Sequence, residues 1–242
     1  MRKIISYEFL KIIRNKRFIS FSLIVPLIFY VILVTITKAE SGNNQLITIF
    51  AVLCSVFATI GGGINTLSSR VAREKMYIGN VLVTTPYTPA KFIITTTLVQ
   101  TLLGFLIEVV IVLFGAVIYR LNLNIQLLNL ELIVLCLSIF YVLIGLCLGI
   151  LCDSVTLQTL SFPIYILAMA TNANKVIWPQ APDLLITLEK ILPGYYATQA
   201  IIDVFNYTSY ISDLLKVFIY IFIMMIVAIV IYNIKKDSIV AR

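Results

Sequence analysis

Between Leu132 and Leu151 the chain carries no charged side chain, and that run constrains the fold more than any motif does. A hydrocarbon core about 30 Å thick is crossed by about 20 apolar residues in helical form. Lipid offers nothing for backbone N–H and C=O groups to bond, so a run of this length has to be an α-helix. Similar runs cover Phe18 to Thr37, Leu46 to Leu67, Phe92 to Tyr119, Val155 to about Ala170, and Leu214 to Ile234. The expectation is an all-α membrane protein of six transmembrane helices, with residues 1–242 forming a single transmembrane domain. Composition agrees: 12% of residues are charged and 61% hydrophobic, whereas a soluble domain carries about 25% charged residues.

The formal net charge of +7 belongs to topology rather than to nucleic acid, because the cations are confined to tails and connections. Arg2, Lys3, Lys11, Arg14, Lys16 and Arg17 precede the first run. Arg70, Arg73, Lys75 and Lys91 lie between the second and third, and Lys235, Lys236 and Arg242 follow the last. The remaining five are Lys38, Arg120, Lys175, Lys190 and Lys216. Cytoplasmic loops carry the excess of Lys and Arg, so both termini and the second connection are expected in the cytoplasm. The start of the chain reads as an uncleaved anchor, since no small-x-small cleavage site follows the first run.

Residues 1–17 form an amphipathic pattern, with Ile5, Phe9, Ile12 and Ile13 on one helical face and Lys3, Lys11 and Arg14 on the other. That is the pattern of an interfacial helix on an anionic leaflet. The connection over 68–88 is ordered as well. Ser68 to Val83 is compatible with a helix, with Ser68 or Ser69 available as N-cap. The run Thr84-Thr85-Pro86 stops it, since the residue before a proline is driven out of the α region. Thr88-Pro89 then reads as a cap followed by proline at the first helical position.

The chain contains no histidine, which removes His-based acid–base catalysis, His-ligated metals and Ser-His or Cys-His nucleophiles. Cys54, Cys136, Cys147 and Cys152 lack the close pairing of a zinc or redox site and read as packing residues. No catalytic or metal residue is expected. A G-x-x-x-x-G-K-[ST] phosphate loop is also missing, and Gly61-Gly62-Gly63 lacks the lysine such a loop needs.

Several polar groups fall inside apolar runs. Glu108 sits near the middle of the third, where an acid is costly and by default functional. It is read either as a protonatable group on a translocation path or as a neutral acid bonded to a neighbouring helix. Asn65, with Gln100 and Gln158, more often knits helices together, and Asn65 is retained as a second residue of a possible path. A proton-coupled secondary transporter using Glu108 is the alternative function, although no convincing internal repeat supports it.

"REKMYIGNVLVTTP", residues 73–86, resembles the cytoplasmic loop of ABC type-2 permeases, the membrane subunits of one class of ATP-binding-cassette exporter. In that family an Arg-Glu pair, a glycine and a Ser/Thr-Pro corner recur between the second and third of six spans. The matching positions are Arg73, Glu74, Gly79, Thr85 and Pro86. The resemblance implies a coupling helix, with Glu74 as the polar contact to an ATPase groove, Lys75 beside it and Gly79 as the close-packing point. It also implies a connecting helix over 1–17 and short re-entrant helices in the external segment 171–213, where Leu-Pro-Gly-Tyr-Tyr resembles a family stretch before the last span. The function implied is the permease of a bacterial exporter in the cell membrane, acting on a hydrophobic or amphipathic substrate such as an antimicrobial peptide, toxin, drug or lipid-like molecule. Its partners would be two copies of a P-loop ATPase, which hold the ATP and Mg that this chain cannot bind, a second permease copy, and the bilayer.

Overall fold

A computed structural model describes residues 2–14, 16–37, 44–84, 88–170, 187 and 189–240, and among them no strand occurs. The chain runs as α1 (Arg2–Ile13), α2 (Lys16–Ile36), α3 (Asn44–Gly61), a π-helical turn (Gly62–Leu67), α4 (Ser68–Thr84), α5 (Pro89–Tyr119), α6 (Ile125–Leu151), α7 (Ser154–Ala170), α8 (Pro193–Phe205) and α9 (Ile211–Val240). Among the described residues four stretches are long and apolar enough to cross a membrane: Asn44–Lys75, Pro89–Tyr119, Ile125–Leu151 and Ile211–Lys235. Shorter apolar helices cover Ser22–Ile36 and Ser154–Ala170. The corner Thr85-Pro86 lies outside the described residues, as do residues 171–186 and 188 of the segment expected to form re-entrant helices.

Helix α6 is the axis of the bundle. It packs against α3, the π-turn, α4, α5, α8 and α9, and Leu130, Ile133, Val134, Leu137, Leu143 and Leu146 are all buried. Helices α5 and α9 keep rows of large apolar side chains outward instead. Leu98, Leu102, Phe105 and Leu106 on α5 are exposed, as are Phe218, Ile219, Phe222 and Ile226 on α9. Water would not tolerate apolar faces of this extent; lipid does, and the molecule is a membrane protein with several apolar helices.

Small residues set the closest approach. Gly145 and Gly149 lie one turn apart on α6, and a Cβ on Gly145 would run into the Gly63 carbonyl oxygen. A Cβ on Gly63 would lie 2.7 Å from Tyr141 C and O, and one on Gly149 would lie 2.8 Å from Ser68 O. Without side chains in the way, the backbones of α6 and the π-turn meet directly, as membrane helices do at small-x-x-x-small seams.

Local signals fix several ends. Thr88 is the N-cap of α5, extended at φ −79° and ψ 155°, its side chain accepting from Lys91 N at 3.4 Å, with Pro89 following. Arg120 ends the same helix in the left-handed region at φ 55°, and Leu121 N bonds back to Gly115 O at 3.1 Å. Asp153 starts α7: its Oδ2 accepts from Val155 N at 3.3 Å and Thr156 N at 3.4 Å, and the Thr156 hydroxyl donates to Oδ1.

Ser68 does not cap α4. It is helical at φ −58° and ψ −46°, and its hydroxyl turns back to Ile64 O. The reason is the π-turn, which carries the helix through from α3 to α4 and leaves no free helix start to cap. The apolar face of α1 is also covered. Phe9, Ile12 and Ile13 pack on Val99 and Leu103 of α5, while Tyr7 and Leu10 remain exposed.

Candidate functional site

Helix α4 concentrates the charges, and neighbouring elements hold it at several points. Lys11 Nζ donates to Glu74 Oε1 at 2.7 Å, tying α1 to α4. Lys75 Nζ donates to Cys152 O at 3.5 Å, tying α4 to the α6–α7 turn. Arg70, one turn before Glu74, lies within the fields of Glu8 and Glu74. Three separate parts of the chain, α1, α4 and the turn at Cys152, therefore gather at one end of the bundle. The Lys11–Glu74 ion pair holds α4 against α1, although an exposed ion pair of this kind adds only ~0–1 kcal/mol. Arg73 and Tyr77 point outward and stay exposed, Tyr77 at 63%. Gly79 lies within α4.

The π-turn connects this charged helix to the apolar one. A π-turn inserts an extra residue and weakens the regular ladder, so its carbonyls need other donors. Gln100 of α5, itself buried, donates its Nε2 to Gly62 O at 3.2 Å, and the Thr66 hydroxyl donates to Gly61 O at 3.5 Å. The Asn65 Oδ1 is buried and has no partner.

Two neighbouring cavities lie along α3 and α7. One, about 370 Å³, is bordered by Val52, Val56, Leu137, Ile166 and Thr198. The other, about 600 Å³, is bordered by Pro26 and Phe29 of α2, Gly62, Asn65 and Thr66 of the π-turn, and Tyr165 of α7. Phe57 and Met169 border both. The walls are apolar with a few polar groups from the π-turn, a lining suited to an apolar or amphipathic molecule.

Asn65 therefore borders a cavity, whereas Glu108 borders neither. Glu108 is buried between helices, with Oε1 unpartnered. Its electrostatic neighbour is Glu131 of α6, whose Oε1 accepts from Ser55 Oγ at 3.4 Å and whose Oε2 has no partner. Sequence reading passed over Glu131 because it stands immediately before the apolar run that begins at Leu132. Helix α6 starts at Ile125, which places that acid well inside the helix. An acid interrupting "LNLELIV" was the available signal. Among the described residues no group of three or more Cys, Asp or Glu could hold a metal ion, and the four cysteines are unbonded.

The fold is a bundle of apolar helices with a charged helix continuing one of them and cavities beside that same helix. Residues 1–206 match the family model for the ABC-2 type transporter. The chain belongs to the ABC-2 type transporter family, whose members are transmembrane permease components without a nucleotide site of their own and normally work with an ATPase partner. No curated protein and no solved structure matches the chain.

Proposed function

We propose that this chain is the permease subunit of a bacterial exporter, embedded in the cell membrane with both termini in the cytoplasm. Four long spans and the two shorter helices α2 and α7 together make six crossings. At about 1.5 Å per residue, the 17 residues of α7 reach about 26 Å, close to the hydrocarbon thickness. The 13-to-5 division of cations supports the orientation. So does the meeting of α1, α4 and the α6–α7 turn at one end, since alternating crossings bring those three connections to the same side.

The observation that carries the reading is α4: a charged helix continuous with a span and pinned to α1 and to the α6–α7 turn. A rigid helix of this kind can serve as a handle. Arg73, Glu74, Lys75 and Gly79, with the corner Thr85-Pro86, form the docking face for a separate P-loop ATPase, present in two copies and carrying ATP and Mg. ATP-driven closure of the ATPase pair would move α4 and bias the bundle between two states. The path runs along α3 and α7, past Asn65, and is completed by a second permease copy. Its apolar walls support a hydrophobic or amphipathic cargo, such as an antimicrobial peptide, toxin, drug or lipid-like molecule. Proton-coupled transport through Glu108 keeps one observation in its favour, the buried Glu108 with Glu131 as its electrostatic neighbour, but neither acid borders either of these two cavities.

The test is purification in mild detergent of the chain expressed with its flanking genes, followed by reconstitution. A bound P-loop ATPase whose hydrolysis drives transport is the expected result. Transport by the isolated chain, driven by a proton gradient, would establish the alternative.

A further inference from the structure

We propose that the π-turn Gly62–Leu67 is a two-register joint between α3 and α4, latched by Gln100. The proposal rests on the reading of α4 as the docking helix and adds how its movement reaches the cavity wall. A π-turn holds one residue more than the α-helix around it. Resolving it turns one flank relative to the other by about 100° and slides it by about 1.5 Å. Few other changes of the same backbone couple a helix so directly to a span.

Three observations point to a joint rather than a fixed kink. The side-chain bond that another helix gives to the turn is Gln100 Nε2 to Gly62 O at 3.2 Å, beside the hydroxyl bonds of Thr66 and Ser68 at the turn itself. Gln100 is only 4% exposed, so breaking that bond leaves its amide without water and the register responds to it. Second, Asn65 Oδ1 is buried without a partner. A buried acceptor left unbonded is a cost carried by this register, and a turned flank moves that oxygen to new surroundings. Third, at Gly63 and Gly145 the two backbones meet with no side chain between them, and Val71 on Gly149 is the side chain that a slide has to pass.

The joint also stands where coupling needs it. Gly61, Gly62, Asn65 and Thr66 border the cavity of about 600 Å³, while Glu74, downstream on α4, is held by Lys11. Turning α4 changes which of the four lines the cavity, so a pull on the charged helix becomes a change in the cavity wall.

The experiment places spin labels at Tyr77→Cys and Ile94→Cys, both exposed positions, in a chain carrying Cys136→Ser and Cys152→Ser. Distances are measured in lipid nanodiscs, for the chain alone and for its complex with the co-purified ATPase, with and without ATP. Two distance populations, separated by on the order of 8 Å for a label at helix radius, are expected, with ATP shifting their ratio. Deletion of Thr66, which removes the extra residue, should leave one population that ATP does not shift while the ATPase remains bound. Gln100→Leu should shift the ratio in the chain alone, with no ATPase present. A single distance in both the parent and the Gln100→Leu chain would overturn the joint. If no ATPase binds the parent chain, the docking reading fails, and the Gln100→Leu arm still decides the joint.

Discussion

Lys11 Nζ lies 2.7 Å from Glu74 Oε1, so the first helix is fastened to the charged helix that extends α3. Both side chains are partly exposed, and the pair contributes only ~0–1 kcal/mol to folding. Lys11→Ala should therefore leave membrane insertion and most ATP-driven transport intact. Glu74→Ala should insert normally yet lose ATPase stimulation at least tenfold, because in the proposed docking its carboxylate is also the contact to the partner. Equal, small losses in both variants, measured as ATP hydrolysis of the reconstituted complex, would reduce Glu74 to a tether for α1.

The glycine seam makes a sharper claim about stability. Gly145→Ala forces a methyl group into the Gly63 carbonyl, and overpacking of this kind costs ~1–3 kcal/mol or more. Gly104→Ala is the control: its Cβ would sit 3.7 Å from Thr59 Cγ2, an ordinary contact, and alanine favours a helix by about 1 kcal/mol over glycine. Thermal unfolding in detergent should fall clearly for the first variant and hold or rise for the second.

Asn65 and Glu108 part company in the structure, and their variants should too. Asn65→Leu alters a cavity wall and should cut transport several-fold while the ATPase still binds. Glu108→Gln keeps shape and hydrogen-bonding capacity away from both cavities and should leave transport, and its dependence on pH, unchanged. Loss of pH-dependent transport in Glu108→Gln would revive proton coupling through the Glu108–Glu131 pair.

Asp153 gives a pH-dependent prediction outside the apolar helices. Bonds from the Thr156 side chain and backbone hold its carboxyl below the usual range. A lowered folded value means the cap helps α7 above the ordinary aspartate range near pH ~4 and loses that help as pH falls through the lowered value. Protection of the first-turn amides of α7, measured relative to their intrinsic exchange rates, should be present at neutral pH and be lost on acidification. Asp153→Ala should lack that protection at every pH.

Much of the architecture could be read from the residues themselves. The all-helical class follows from apolar run lengths, and Thr88-Pro89 caps α5 as its chemistry dictates. The family was legible in Arg73, Glu74, Gly79 and the Thr85-Pro86 corner. What escaped depended on partners distant in the chain. Ser68 looks like a cap locally, but the π-turn before it keeps the helix running. Gly145 and Gly149 form a recognisable small-residue pair, yet only their meeting with Gly63 and Ser68 gives them a role. Gln100 reads as a helix-knitting residue, and its particular acceptor, the Gly62 carbonyl, is available because a π-turn weakens the ladder there. Glu131 was hidden by a hydropathy boundary drawn one residue too late.

The central claim is that α4 is the handle of a separate ATPase, and Tyr77 offers the most direct access to it. Its side chain is 63% exposed and stands one turn beyond Arg73. A photo-crosslinking amino acid at position 77, activated in native membranes and analysed by mass spectrometry, should join this chain to a P-loop ATPase, and Glu74→Ala should abolish that product. A chain that transports its substrate at full rate while position 77 crosslinks to no nucleotide-binding protein would contradict the account.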